Sequence, residues 1–214
     1  MIDYAIQQKS EDWFRIKVGK VGGSTSSQLH VNSKTLLEEL LSELCEPWQF
    51  EDSYVSPAMQ RGNELEPLGV AEVAKYVGKE FRTVGWIQSD ECALIGASPD
   101  AISVDETDAI ELKCPSAKVH VGYIRGEIVP LDHINQCCHY FAVLPTLERV
   151  HFASYRPECI RPLFVVTITP DTVLNVGTKA KPVQMSVREY AAKKVALAIV
   201  LQDELTTEFQ KFTF

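Results

Sequence analysis

The stretch from Phe81 to Lys113 leaves the chain few ways to fold. Four runs rich in β-branched and aromatic residues, FRTVGWIQ (81–88), ALIGAS (93–98), AISV (101–104) and AIELK (109–113), follow one another across short polar breaks. Each is the length of a strand and too short for a stable helix. They are expected to form consecutive strands, with DETD at 105–108 as a hairpin tip. Helical patterns flank this region. Leu36, Leu37, Leu40, Leu41 and Leu44 recur at helical spacing and predict a helix over 34–45, with Ser33 as its cap. A second helix is expected over 57–76, ending at Gly78 and bent or restarted by Pro67. Further on, the pattern predicts a helix over 131–144 and strands over 148–156 and 163–169. Ser186 and Glu189 form a capping-box pattern ahead of a long final helix. The expected architecture is α/β (α+β), a mixed central sheet flanked by helices, with residues 1–214 as a single domain.

Composition narrows the function. No run of 18 apolar residues is present, so no membrane-spanning helix is expected, and the acidic, polar start MIDYAIQQKSEDWF does not resemble a signal peptide. The expectation is a cytoplasmic protein. Six scattered cysteines form no CxxC pair and are expected to be mostly buried, reduced thiols. A net charge of −8 argues against a protein that coats nucleic acid through basic groups alone. That objection weakens for a metal nuclease, whose carboxylates hold cations that in turn meet phosphates.

One constellation carries chemistry. Ser98-Pro99-Asp100 is followed, after ten residues, by Glu111-Leu112-Lys113. Alternate side chains of a strand share a face, so Glu111 and Lys113 point the same way and Leu112 the other. Asp100 precedes a strand that hairpins with 109–113 and can arrive beside Glu111. Two converging carboxylates suit Mg2+, a hard cation that prefers oxygen ligands, and the Leu112 carbonyl can add another oxygen. Lys113 can orient and help deprotonate a water, or neutralise charge on the transition state. Together these are the parts needed for phosphodiester hydrolysis. A lone Glu-x-Lys on a surface hairpin is common, and the spacing from Pro-Asp is what raises this one above it.

With other segments added, the chain resembles the phage lambda exonuclease family, the YqaJ-like viral recombinases, within the PD-(D/E)xK nuclease group. Trp13-Phe14-Arg15-Ile16-Lys17-Val18-Gly19 followed by Gly22-Gly23-Ser24 is similar to that family's N-terminal W-x-x-x-R-x-G…S motif. Arg61-Gly62-Asn63-Glu64-Leu65-Glu66 resembles its G-x-x-x-E helix, and Asn135-Gln136 through Tyr140 its glutamine-bearing helix. The resemblance implies a restriction-endonuclease-like core with Asp100, Glu111, the Leu112 carbonyl and Glu66 around Mg2+, with Mn2+ as a substitute. Glu66 is preferred to Glu64 because it keeps the family's distance from Gly62. The resemblance also implies Lys113 as the catalytic lysine and Gln136 near the scissile phosphate. Lys17, Ser24 and Ser98 match a pocket for a terminal 5′-phosphate. The family's arginine is either replaced by Lys17 or displaced to Arg15. The implied activity is digestion of one strand of linear duplex DNA from a 5′-phosphorylated end, leaving a 3′ overhang. The implied partners are two further copies in a homotrimeric ring and a single-strand annealing protein.

Other residues have plainer readings. Trp13 is expected in the core. His133 and His139 are expected to pack or face solvent. Asp105, Glu106 and Asp108 lack calcium-loop spacing and are read as a solvated turn, and Glu38, Glu39 and Glu43 as the wet face of their helix. Two other functions use the same residues: a structure-selective endonuclease or resolvase without the 5′-phosphate pocket, and a catalytically inactive DNA-binding protein. Retention of all three residues, Asp100, Glu111 and Lys113, argues against the second.

Overall fold

A computed structural model describes residues 2–46, 56–175 and 183–213. At its centre is a five-stranded mixed sheet in the order β2-β5-β6-β7-β8, built from Phe81–Arg82, Ala101–Ser103, Asp108–Lys113, Arg149–Tyr155 and Leu163–Ile168. All neighbours run antiparallel except β6 and β7. Parallel neighbours need a long crossover. Here it carries two helices, α4 (Ala117–Gly126) and α5 (Leu131–Val143). A smaller sheet joins β1 (Ile2–Tyr4), β3 (Trp86–Gln88) and β4 (Gly96–Ala97), and β9 (Val173–Asn175) pairs with β10 (Gln184–Ser186).

The expected run 81–88 is therefore two strands in two sheets, β2 and β3, with Gly85 at the break. The run 93–98 contributes only Gly96 and Ala97 as strand. The tip at 105–108 does join β5 to β6.

Helices cover both faces of the main sheet. Ile110 and Leu112 of β6 pack with Val73 of α3 (Pro57–Val77). A Cβ on Gly69 of α3 would lie 2.6 Å from a Leu112 methyl, so glycine is what lets this helix lie so close to the strand. Helix α3 does not restart at Pro67, which is exposed, and it stops at Gly78 as expected. On the other face, α5 packs against α6 (Val187–Phe209), and α6 against α2 (Lys34–Cys45). The capping box at Ser186 and Glu189 is formed.

Several expectations need correction. Ser33 stands at the start of α2 but does not cap it; its hydroxyl donates to the carbonyls of Gln28 and His30. Trp13 is half-buried on α1 (Glu11–Ile16), a helix with no buried residue, and not in the core. Asp108 is no part of a solvated turn. It is fully buried and hydrogen-bonded to Lys79, Arg149, Thr107 and His151. These partners are distant in sequence apart from Thr107, which is why the acidic run looked wet. Glu38, Glu39 and Glu43 are exposed, although Glu43 also accepts the Gly19 amide at 2.8 Å. His133 stacks on Phe152, and His139 is buried against the Gly96 carbonyl. Cys92, Cys137 and Cys138 are buried free thiols, whereas Cys45 is exposed. Among the described residues, no helix is long and apolar enough to cross a membrane.

Candidate active site

The α5-facing side of β6 carries Glu111, 1 % exposed, and Lys113. Glu111 is held from three directions. Lys113 Nζ donates to its Oε1, while the Tyr140 hydroxyl and Gln136 Nε2, the latter at 2.9 Å, donate to Oε2. Gln136 and Tyr140 are one helical turn apart on α5, so a single face of that helix meets the carboxylate. Asp100 enters from the turn before β5. Its amide donates to the Ile110 carbonyl at 3.0 Å, and its Oδ2 accepts the Leu112 amide at 2.6 Å. Asp100 and Glu111 thus meet across the β5–β6 pairing, as the spacing predicts.

The electrostatics favour a cation. Burial, and then the Glu111 carboxylate, push the Asp100 carboxyl well above its usual range, against the pull of Lys113 and the Leu112 amide. Burial pulls the Lys113 ammonium down, but Glu111 and Asp100 outweigh it and its pKa is raised. Two carboxylates forced together out of water gain most from a hard divalent ion between them. The oxygen-only donor set fits Mg2+ or Mn2+. Asp100 and Glu111 would hold such an ion. Among the described residues, no three acidic, histidine or cysteine side chains converge into a ready-made metal cage.

Glu66, the third carboxylate that the resemblance implies, does not join this pair. It lines a cleft of about 770 Å³ that also holds Asp100, Asn63 and the segment Ala5–Ser10. Its charge is felt at Asp100, but its Oε2 is paired with Lys9 Nζ at 3.0 Å. Glu64 is exposed and accepts the Gln60 amide instead.

The residues matched to a terminal phosphate form a second group beside the first. Lys17 Nζ lies 3.6 Å from the Trp13 ring centroid and 5.8 Å from that of Trp86. Burial pushes its pKa down to about 8, partly offset by Glu43. Among the described residues the Lys17 ammonium has no hydrogen-bond acceptor. Arg15 is exposed and pairs with Glu11 at 2.8 Å, and Lys17 is a cation beside Trp13. The Ser98 hydroxyl accepts the Trp13 indole N–H at 2.9 Å and donates to the Gly85 carbonyl at 2.6 Å. It therefore fixes Trp13 under Lys17. Ser24 is exposed on the loop after Gly22. A Cβ on Gly23 would lie 2.9 Å from Gln136 Cγ, so this loop rests directly on the residue that holds Glu111. The Gly22 amide is taken by Thr25 Oγ1, whereas among the described residues the Gly23 and Ser24 amides have no partner.

Sequence reasoning missed Lys9, Asn63 and Gln8. Gln8 Nε2 donates to the carbonyls of Val84 and Pro99, each at 2.9 Å, which ties the N-terminal segment to the Asp100 turn. Nothing in the polar run Gln7–Ser10 signals this. Asn63 does carry a signal, since it lies one helical turn before Glu66. Tyr140 was visible in the Gln136…Tyr140 spacing, but not its bond to Glu111.

A mixed sheet bearing a buried carboxylate pair and a lysine, with a helix carboxylate alongside, defines the class of sheet-borne nuclease folds. The chain belongs to the YqaJ-like viral recombinase domain family, whose model matches residues 12–147. It is similar to an alkaline exonuclease (LHK-Exo) from Laribacter hongkongensis, with 25% identity, a TM-score of 0.71 and coverage of 94% of this chain and 97% of that one. The same protein in complex with dAMP gives a TM-score of 0.70 over the same coverage. A phage related exonuclease from Haemophilus somnus 129PT shares the fold at 12% identity, with a TM-score of 0.53 over 88% of this chain and 96% of that one. No curated protein sequence matches the chain.

Proposed function

We propose that this protein is a divalent-metal-dependent DNA exonuclease that digests one strand of linear duplex from a 5′-phosphorylated end and leaves a 3′ single-stranded overhang. The observation that carries the reading is the buried pair Asp100 and Glu111, joined by Lys113 on one sheet face and steadied by Gln136 and Tyr140. Family membership and the alkaline exonuclease likeness support it. A divalent ion bound here would supply Lewis-acid chemistry for phosphodiester hydrolysis. Asp100 and Glu111 hold the ion, Lys113 as a cation faces the charge that develops on the phosphoryl oxygens, and Gln136 orients the strand beside Glu111. Lys17 and the Gly23 and Ser24 amides receive the terminal phosphate, with Ser24's hydroxyl next to them. That anchor sets the next phosphodiester in register, and positioning alone lowers the barrier. A lysine meets phosphate as a point charge where an arginine would fork around it. In the same reading three copies form a ring around DNA, basic groups line its channel, and the overhang passes to a single-strand annealing protein. Light scattering showing only monomer would remove the ring without touching the chemistry.

The test uses end-labelled linear duplexes that differ only in a 5′-phosphate or 5′-hydroxyl, with circular duplex as control, in Mg2+ or EDTA. The expected result is metal-dependent loss of linear DNA, fastest from phosphorylated ends, abolished in Asp100→Asn and Glu111→Gln. Cutting of circular or branched DNA at equal rates would favour the endonuclease instead. Full activity in either variant would overturn the site.

A further inference from the structure

Lys9 is the feature of the cleft that the activity does not absorb. Its ammonium lies 2.7 Å from Asn63 Oδ1 and 3.0 Å from Glu66 Oε2. Its backbone is left-handed, with φ 65°, a conformation that a residue with a Cβ seldom adopts. The surroundings impose that bend. Ser10 N and Oγ both donate to the Gln7 carbonyl, Ser10 caps α1, and Gln8 is bonded to Val84 and Pro99. The same staples that strain Lys9 seat it opposite Glu66, one residue from the Asp100 turn that Gln8 grips.

We propose that Lys9 is a built-in counter-cation that draws Glu66 away from the metal position, so that a divalent ion must displace it to recruit Glu66 as a ligand. The proposal rests on reading Asp100, Glu111 and Glu66 as the cation site. It accounts for the incomplete cage: Asp100 and Glu111 are in place, while Glu66 is engaged elsewhere. It also fits the exposure of the pair, 49% for the lysine side chain and 32% for the glutamate. A pair open to water is weak. A divalent ion held by Asp100, Glu111 and Glu66 would outcompete it, but at reduced apparent affinity. Asn63 holds the displaced end of the device, since its side-chain oxygen keeps Lys9 beside the helix without using Glu66.

The experiment is Mn2+ titration of the full-length protein without DNA, followed by the paramagnetic signal of free Mn2+. Lys9→Met removes the charge, and Lys9→Gly removes charge and backbone strain together. Both are expected to bind Mn2+ about three- to tenfold more tightly than wild type. In a Glu66→Gln background the same substitutions are expected to change nothing, because the competition has been removed. Unchanged or weaker Mn2+ binding in both Lys9 variants, with the wild-type protein binding Mn2+ normally, overturns the counter-cation. Mn2+ binding that is insensitive to Asp100→Asn overturns the metal site itself, and the counter-cation with it.

Discussion

At the scale of single residues, the two halves of the site make separable demands. Glu111 is buried and accepts from three donors, of which only Lys113 carries charge. Removing the Tyr140 hydroxyl leaves the carboxylate's Oε2 to Gln136 alone and loosens its aim. A hydrogen bond to a charged group contributes about 1.5–3 kcal/mol. Tyr140→Phe is therefore expected to lower kcat about ten- to hundredfold at saturating metal and to lower the melting temperature by several degrees. An unchanged kcat would show that Gln136 and Lys113 suffice. Lys17 makes a different prediction, because its charge can be titrated. With its pKa pushed down to about 8 by burial, it is protonated below that pH and neutral above it. A terminal phosphate is fully ionised across this range, so only the lysine changes. Because kcat/KM reports the free enzyme, the preference for 5′-phosphate over 5′-hydroxyl ends, expressed as a ratio of kcat/KM, is expected to fall as pH rises through about 8. Lys17→Arg keeps its charge and should flatten that decline. A preference independent of pH in the wild-type protein would remove Lys17 from the pocket.

At the scale of elements, β6 is the strand on which the site depends, and its two ends do different work. Its C-terminal end presents Glu111 and Lys113. Its N-terminal end is anchored by Asp108, where burial pushes the carboxyl up but hydrogen bonds from Arg149, Lys79, Thr107 and His151 outweigh it and hold the pKa well below the ordinary range. A carboxylate with a depressed folded-state pKa stabilises the fold above its unfolded value near 3.9, and that stability is lost as pH falls through the folded value. Asp108→Asn leaves Lys79 and Arg149 facing a neutral amide. It is expected to cost about 3 kcal/mol at pH 7, with the gap from wild type narrowing below about pH 4. Equal urea midpoints at pH 7 would show that the network contributes nothing. This anchor was not legible in the sequence, because Asp105, Glu106 and Asp108 form an acidic run whose partners include Lys79 just after α3, Arg82 of β2, and Arg149 and His151 of β7. The candidate-site end was legible, because strand alternation alone puts Glu111 and Lys113 on one face and helical spacing puts Gln136 beside Tyr140. Helix α4 was not, since VHVGYI within Ala117–Gly126 has the β-branched and aromatic character of a strand and folds as a helix only in its place in the crossover. The division of 81–88 into two strands was hidden for a related reason. A continuous β pattern does not reveal that its halves pair with different partners.

At the scale of the whole molecule, the question is what the C-terminal helix adds to a site built entirely before it. The family match ends at residue 147, yet α6 buries Val187, Ala191, Val195, Ala198, Leu201 and Leu205. Among those apolar residues it also buries a lysine. Lys194 Nζ donates to the carbonyls of Ser26 at 2.8 Å and Leu29 at 2.6 Å, and burial pushes its pKa down to about 8. The Tyr190 hydroxyl, one turn earlier, bonds Asn135 of α5, the neighbour of Gln136. The Ser26 hydroxyl closes the set by donating to the Gly23 carbonyl at 2.7 Å and the Asn135 carbonyl at 3.3 Å. Helix α6 thus clamps the loop that carries Gly23 and Ser24 onto the helix that carries Gln136. A buried ammonium is costly to hold, and its retention is explained if those carbonyls must stay fixed. Lys194→Met keeps the apolar stem, leaves the Leu29 carbonyl without its donor and leaves the Ser26 carbonyl to the Leu29 amide alone. The expected loss is about 2 kcal/mol, which for a chain of this size lowers the melting temperature by roughly 4–8 °C. The sharper expectation is functional. With the clamp loosened, KM for 5′-phosphorylated ends should rise several-fold, while digestion of 5′-hydroxyl ends, which in the proposed reading do not use the loop, should keep its rate at temperatures where the variant is folded. A variant that melts lower but keeps the full 5′-phosphate preference would show that α6 supports only the core. A proportional loss on both kinds of end would place its influence at Glu111, through Asn135 and Gln136, and away from the phosphate loop.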